Sequence, residues 1–158
     1  ALSAETKEAV DKFHKTALDN GAVDEGVSCT RPIYRGFNSS NGYHMYSTST
    51  VSGGGYSSEG FVFSVYTNPA PGTSALYRCR NFGSGKTFLT LSSSCEGSGM
   101  SVDLTLGYVA TSNLSGTTAL YRLYLSGVGN HLYTTSVNER SSAQGQGYLY
   151  EGVTGYVW

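Results

Sequence analysis

The sequence predicts a mainly β, pseudo-threefold body behind an N-terminal helix, and three observations lead there. A Tyr-Arg block recurs as Ile33-Tyr34-Arg35, Leu76-Tyr77-Arg78 and Leu120-Tyr121-Arg122, spaced 43 and then 44 residues apart. A second matched block begins 11 residues after each opening: His44-Met45-Tyr46-Ser47-Thr48, Thr87-Phe88-Leu89-Thr90-Leu91 and His131-Leu132-Tyr133-Thr134-Thr135. Everything after Val27 consists of short runs rich in Tyr, Val, Thr and Phe broken by glycine and serine clusters, the pattern of short strands and turns. A unit this small cannot bury an apolar face alone, so the repeats must share a core. The boundaries read as an N-terminal segment 1–27 and repeats 32–74, 75–118 and 119–158, all in one domain. Roughly four short strands per repeat give a β-trefoil-like body, and a three-bladed propeller-like ring is the alternative with the same arithmetic.

The helix is expected over residues 3 to about 19. Ser3 can cap it, Glu5 suits the first turn, and Asn20-Gly21 supplies the stop. Ala9, Val10, Phe13, Ala17 and Leu18 form its apolar stripe, and Glu8 with Lys12 is a favourable i,i+4 pair. His14 lies near that stripe and reads as partly packed. In the third repeat the strands are expected at Ala119–Leu123, Asn130–Thr135, Gly147–Glu151 and Gly155–Trp158. Ser126-Gly127-Val128-Gly129 joins the first two as a hairpin, and Asn138–Gln144 reads as a loop or short helical turn. In the second block Met45, Phe88 and Leu132 are apolar in every copy and alternate with their neighbours, which predicts that they point into the shared core. Leu89 and Leu91 on the opposite face predict that this face is at least half buried.

Composition narrows the function. Charged residues make up 13% of the 158-residue chain, about half the globular norm of roughly 25%, while tyrosine (13) and glycine (21) are abundant. A net charge of −1 without clustered Lys and Arg argues against nucleic acid as a partner. No apolar run approaches the ~20 residues that span a bilayer, so membrane insertion is not expected. The chain opens on Ala1, not Met, which predicts a secreted, processed chain; Asn38-Ser39-Ser40 and Asn113-Leu114-Ser115 are glycosylation acceptor triplets of a kind common by chance, and they add little. The three cysteines fit no zinc spacing, and Cys79 with Cys95 is a plausible disulfide within one repeat. Cys29 would then be free or would compete for Cys79. No cofactor motif is present.

The third repeat reads Leu120-Tyr121-Arg122, then Gly129-Asn130-His131-Leu132-Tyr133-Thr134-Thr135, then Gly147-Tyr148-Leu149-Tyr150-Glu151-Gly152-Val153. This resembles an uncharacterised repeat of secreted bacterial and fungal proteins, often found in threes beside cell-wall or glycan-active enzymes. The resemblance covers residues 32–158 and is degraded in the second repeat, which lacks the His and the Glu-Gly. It implies a secreted accessory or recognition module and supplies no chemistry.

Two sets of residues could act: His44, Tyr46 and Glu59 in the first repeat, and His131, Tyr133 and Glu151 in the third. In one reading each set lines a shallow pocket, with a ring against a sugar's apolar face and a carboxylate taking its hydroxyls. In the other, each His and Glu bond one another and orient the repeat. Arg35, Arg78 and Arg122 persist in all three repeats and read as architectural, bonding carbonyls or stacking on tyrosine. No nucleophile elbow or P-loop spacing occurs, and equivalent acids in different repeats should lie too far apart for glycoside hydrolysis, so no enzyme is expected. The expectation is a non-catalytic, lectin-like protein whose partners are glycans or glycoprotein surfaces. The alternative is a secreted protein-interaction protein, such as a protease inhibitor or an immunomodulatory or defence effector, acting through loops 49–58 and 136–146.

Overall fold

The computed structural model describes Lys12 and residues 30–158. The expected helix (Lys12 apart), His14 and Cys29 lie outside the described residues. The remainder is mainly β and antiparallel, and it repeats one three-stranded unit. In the first, β1 (Thr30–Asn38) is flanked by β2 (Tyr43–Ser47) and β3 (Tyr56–Tyr66). In the second, β4 (Thr73–Asn81) is flanked by β5 (Thr87–Thr90) and β6 (Met100–Ala110). In the third, β7 (Thr118–Leu125) is flanked by β8 (Asn130–Thr134) and β9 (Leu149–Val157), with helix α1 (Val137–Gly145) between the two flanking strands.

The same turn starts each unit. Gly42 N–H donates to Asn38 O (2.8 Å), Gly85 to Asn81 O (2.7 Å) and Gly129 to Leu125 O (2.7 Å). All three glycines have φ near +74° (74°, 73° and 75°), a conformation that a Cβ disfavours, which is why glycine closes each turn. The expected third and fourth strands of a repeat are one long strand here. The glycines of β9 suggest a break, whereas the strand runs on through two bulges opposite Leu120/Tyr121 and Arg122/Leu123. β3 and β6 carry bulges at the matching places, so each repeat holds three strands.

The long strands meet pairwise at their ends. Tyr66 pairs with Tyr108 and Ala110 with Tyr156, while Ser64 and Trp158 exchange backbone hydrogen bonds of 2.6 and 3.1 Å. The central core takes one residue of each kind from every repeat: Ile33, Leu76 and Leu120 from the Tyr-Arg blocks, and Tyr46, Leu89 and Tyr133 from the second blocks. This reverses the expected facing of the second block. Met45 is only partly buried, Phe88 packs beside the Cys79–Cys95 disulfide, and Leu132 packs with Leu123 and Ala143 in a peripheral cluster. Alternation fixes the period of a strand but not which face turns inward. Here the tyrosines go inside because the core offers their hydroxyls partners. Tyr46 Oη donates to Tyr133 O (2.9 Å) and accepts from Tyr133 N (2.6 Å). Tyr133 Oη likewise donates to Leu89 O (2.6 Å) and accepts from Leu89 N (2.8 Å).

Candidate functional site

The bulges place the chemistry. In each long outer strand the residue left unpaired by the bulge beside the Tyr-Arg block is an acid: Glu59 in β3, Asp103 in β6 and Glu151 in β9. A bulge re-aims the side chain it frees, and here it turns each acid onto the arginine of the same repeat. Arg35 Nε donates to Glu59 (2.6 Å), Arg78 Nε to Asp103 (2.8 Å) and Arg122 Nε to Glu151 (2.7 Å). The second repeat therefore keeps its acid although it lacks the Glu-Gly pair. The acid sits at Asp103, followed by Leu104 where the other repeats have Gly60 and Gly152.

Each arginine also reaches inward to a core strand of a neighbouring repeat. Arg35 Nη1 donates to Tyr133 O (3.4 Å), Arg122 Nη1 to Leu89 O (3.5 Å) and Arg78 Nη1 to Tyr46 O (2.7 Å). The carbonyl-bonding role expected for these arginines is what the geometry contains. The third distance is short for a reason: Tyr133 O and Leu89 O already take a tyrosine hydroxyl, whereas Tyr46 O would need one from position 89, which is leucine.

Around that frame the repeats diverge. Arg35 clamps Glu139 of α1 through Nη1 and Nη2, both at 2.8 Å. Arg122 clamps Glu96 the same way, at 2.7 and 3.2 Å. Ser136 caps α1, accepting from Glu139 N (3.1 Å), and the Glu139 carboxylate is left for Arg35 because Ser136 N donates to Thr134 Oγ1 instead. The segment 136–146, expected as a contact loop with a loop or short helical turn at Asn138–Gln144, is largely helix, in line with the helical alternative. Glu96 follows Cys95, and both hold positive φ (61° and 56°), a conformation uncommon outside glycine. The Cys79–Cys95 disulfide, with Cα atoms 5.8 Å apart, anchors that segment and with it Glu96.

His44 lies at the rim of the core. Its Nδ1 accepts from Asn130 Nδ2 (2.8 Å), its ring packs tilted against Phe37 at 4.8 Å, and its Nε2 faces Glu59 at 3.6 Å. The equivalent His131 packs between Tyr124 (4.7 Å) and Phe88 (5.5 Å). Its Nε2 lies 3.2 Å from Arg122 Nη2 and 3.4 Å from Glu151. A guanidinium can only donate, so this ring nitrogen accepts. Burial drives both histidines down from 6.5 to about 4, with the adjacent arginine adding to the effect, so both imidazoles are neutral at physiological pH. Burial alone would raise Glu96, yet the bonds from Arg122 and Thr90 outweigh it and hold its carboxyl below the ordinary value.

The six residues picked out by sequence are close together within each repeat but differ in what they face. Tyr46 and Tyr133 are core residues, 2% and 0% exposed, and offer no surface for stacking. His44 is buried and faces Glu59, which is itself exposed and bonded to Arg35 Nε beside the Glu139 clamp. Of the six, Glu151 lines an open groove of about 460 Å³, with Thr90, Leu91, Ser92, Glu96, Arg122, Gly152, Val153 and Thr154. The groove lies where the second repeat meets the third. Sequence reasoning misses Glu96, Thr90, Ser92 and Thr154, and treats Arg122 as purely architectural. The one signal in the sequence for Asp103 is its distance from Arg78, 25 residues, against 24 between Arg35 and Glu59.

A family model described as a domain of unknown function, DUF5648, matches residues 3–103 and again 32–158. The chain belongs to this DUF5648 family. The two overlapping matches suggest internal repetition of the kind the strand pairing displays. No curated protein and no solved structure matches the chain. Among the described residues no helix is long and apolar enough to cross a membrane.

Proposed function

We propose that this DUF5648 protein is a secreted, non-catalytic carbohydrate-binding protein and that its site is the groove beside Arg122. The observation that carries the reading is the lining of that groove. Two carboxylates, Glu96 and Glu151, are fixed on one guanidinium so that their remaining lone pairs can accept from sugar hydroxyls. Ser92 and Thr154 add hydroxyls, and Leu91 and Val153 add apolar surface for a sugar's C–H face. Glu96, held ionised by Arg122, is poorly suited to act as the protonated acid that glycoside hydrolysis needs, which supports binding without catalysis. The disulfide fits an oxidising compartment, in keeping with secretion. We read the three three-stranded units as closer to the propeller-like alternative than to a trefoil, since their outer strands meet pairwise at one end.

A glycan array followed by calorimetry on its best neutral ligand tests the proposal. Glu96→Ala should weaken that ligand at least tenfold, while Met45→Ala, at a residue not among those lining the groove, should leave it unchanged. A silent array, or a ligand indifferent to Glu96→Ala, would overturn the reading.

A further inference from the structure

The three arginine clusters differ in one respect that the shared frame makes visible. Arg35 and Arg122 each hold a repeat-internal acid on Nε and a second carboxylate, Glu139 or Glu96, across the Nη1/Nη2 edge. With His44 and His131 neutral, each of those clusters carries one positive and two negative charges. At Arg78 the internal acid is present, with Asp103 Oδ2 bonded to Nε (2.8 Å) and 2.7 Å from Nη2. Among the described residues the second carboxylate is not. The segment that would supply it follows Tyr46, and residues 47–58 contain no acid. A second guanidinium stands there in addition: Arg80 takes the strand position that Phe37 and Tyr124 hold in the other repeats, opposite Thr87 in place of a histidine. Arg80 Nη2 lies 3.2 Å from the same Asp103 oxygen. Among the described residues the charge balance is reversed, with two cations sharing one carboxylate.

The surroundings suit an anion. Tyr56 of the first repeat lies within electrostatic reach of both arginines, which oppose the larger upward push of burial on its phenol. Arg78 is fixed by its bond to Tyr46 O, and Arg80 is the more open of the two, its side chain 29% exposed against 12%. A fixed guanidinium edge beside a second cation is a preorganised carboxylate receptor, because less side-chain freedom is lost on binding.

We propose that Arg78 and Arg80, with Tyr56 beside them, form a second ligand site that takes the carboxylate of a small ligand, a uronic acid residue of a saccharide being the form that joins this charge to the hydroxyl-bearing Thr87 and Ser101 that flank Arg80 across the sheet. The ligand carboxylate takes the place that Glu139 and Glu96 fill at the other two arginines. The site does not depend on the groove beside Arg122: neutral-glycan binding can fail while this one stands.

The test is titration of the full chain with a galacturonate trisaccharide, its methyl ester and succinate, read by the ¹⁵N-labelled arginine Nε–H signals and by calorimetry. The acid trisaccharide should bind saturably and shift the Arg78 signal, and the ester should not. Arg80→Gln, checked for an unchanged melting temperature, should weaken the acid at least tenfold. If that variant does not fold, the Arg78 signal of the wild-type chain is sufficient by itself to support or overturn the site. Succinate binding as tightly as the trisaccharide would assign the site to the carboxylate itself, and tighter trisaccharide binding would assign it to the sugar acid. Glu96→Ala should gain a second carboxylate equivalent at Arg122, since it opens the matching edge there. Equal binding of acid and ester, no saturable binding, or an Arg78 signal that stays put would overturn the proposal.

Discussion

Tyr133 shows how one side chain sets both the core and the site. Its ring is fully buried, and its hydroxyl meets both backbone groups of Leu89 on a neighbouring repeat. Short strands such as β5 have too few partners to satisfy their outer edge, so the tyrosine does what a further strand would otherwise do. Removing only that hydroxyl leaves a buried N–H unmet and a carbonyl dependent on the longer Arg122 contact. Tyr133→Phe should therefore lower unfolding free energy by about 1–3 kcal/mol in urea denaturation, despite leaving the packing intact. A variant as stable as the parent would show that the hydroxyl bridges contribute nothing.

Among the elements, those with strong local signals are legible in the sequence and those made by tertiary contact are not. The Tyr-Arg blocks and the glycine turns are visible because a left-handed turn position and a repeated core residue each leave a mark on sequence. α1 also carries its signal, Ser136-Val137-Asn138-Glu139, although its polar composition alone promises no more than a loop or short turn. The inward face of β2, β5 and β8 is opposite to the one that alternation suggests, since a hydroxyl's partners belong to another repeat and leave no trace in the strand's own pattern. The groove is illegible for the same reason: Arg122 and Glu96 are 26 residues apart, and Glu96 sits in a loop whose path depends on a disulfide. That disulfide closes a span of 16 residues, for which the chain-entropy model gives about 3 kcal/mol. Reduction should lower stability by about that amount and weaken groove ligands further, because Cys95 and Glu96 are released from their positive-φ conformations. Measuring affinity on the reduced, still-folded fraction checks this, and unchanged affinity would show that Glu96 needs no anchor.

At the scale of the whole molecule, the buried neutral histidines set the response to acid. In the unfolded chain a histidine takes up its proton near 6.5, whereas His44 and His131 in the fold resist it until about 4. The unfolded state thus binds more protons between those values, and stability falls as pH drops from about 6.5 towards 4. Glu96, Asp103 and Glu139 are depressed in the fold, so their contribution is present above their unfolded values and is lost only on further acidification. The melting temperature should be flat above pH 7 and decline from pH 6.5, ahead of carboxylate titration, with a shallower decline in His131→Gln. A melting temperature unchanged down to pH 4.5 would contradict the buried-histidine account.

The arrangement of three arginine clusters in one frame, one closed by α1, one opening on a groove and one short of an acid, makes the location of binding the point on which the functional account stands. The most direct measurement is an amide ¹⁵N titration of the full chain with the best neutral glycan from the array. The account predicts saturable shifts concentrated on 90–96 and 151–154, the two segments that line the groove. Shifts concentrated instead around His44 and Glu59, or spread over 49–58 and α1 with the groove silent, would contradict it.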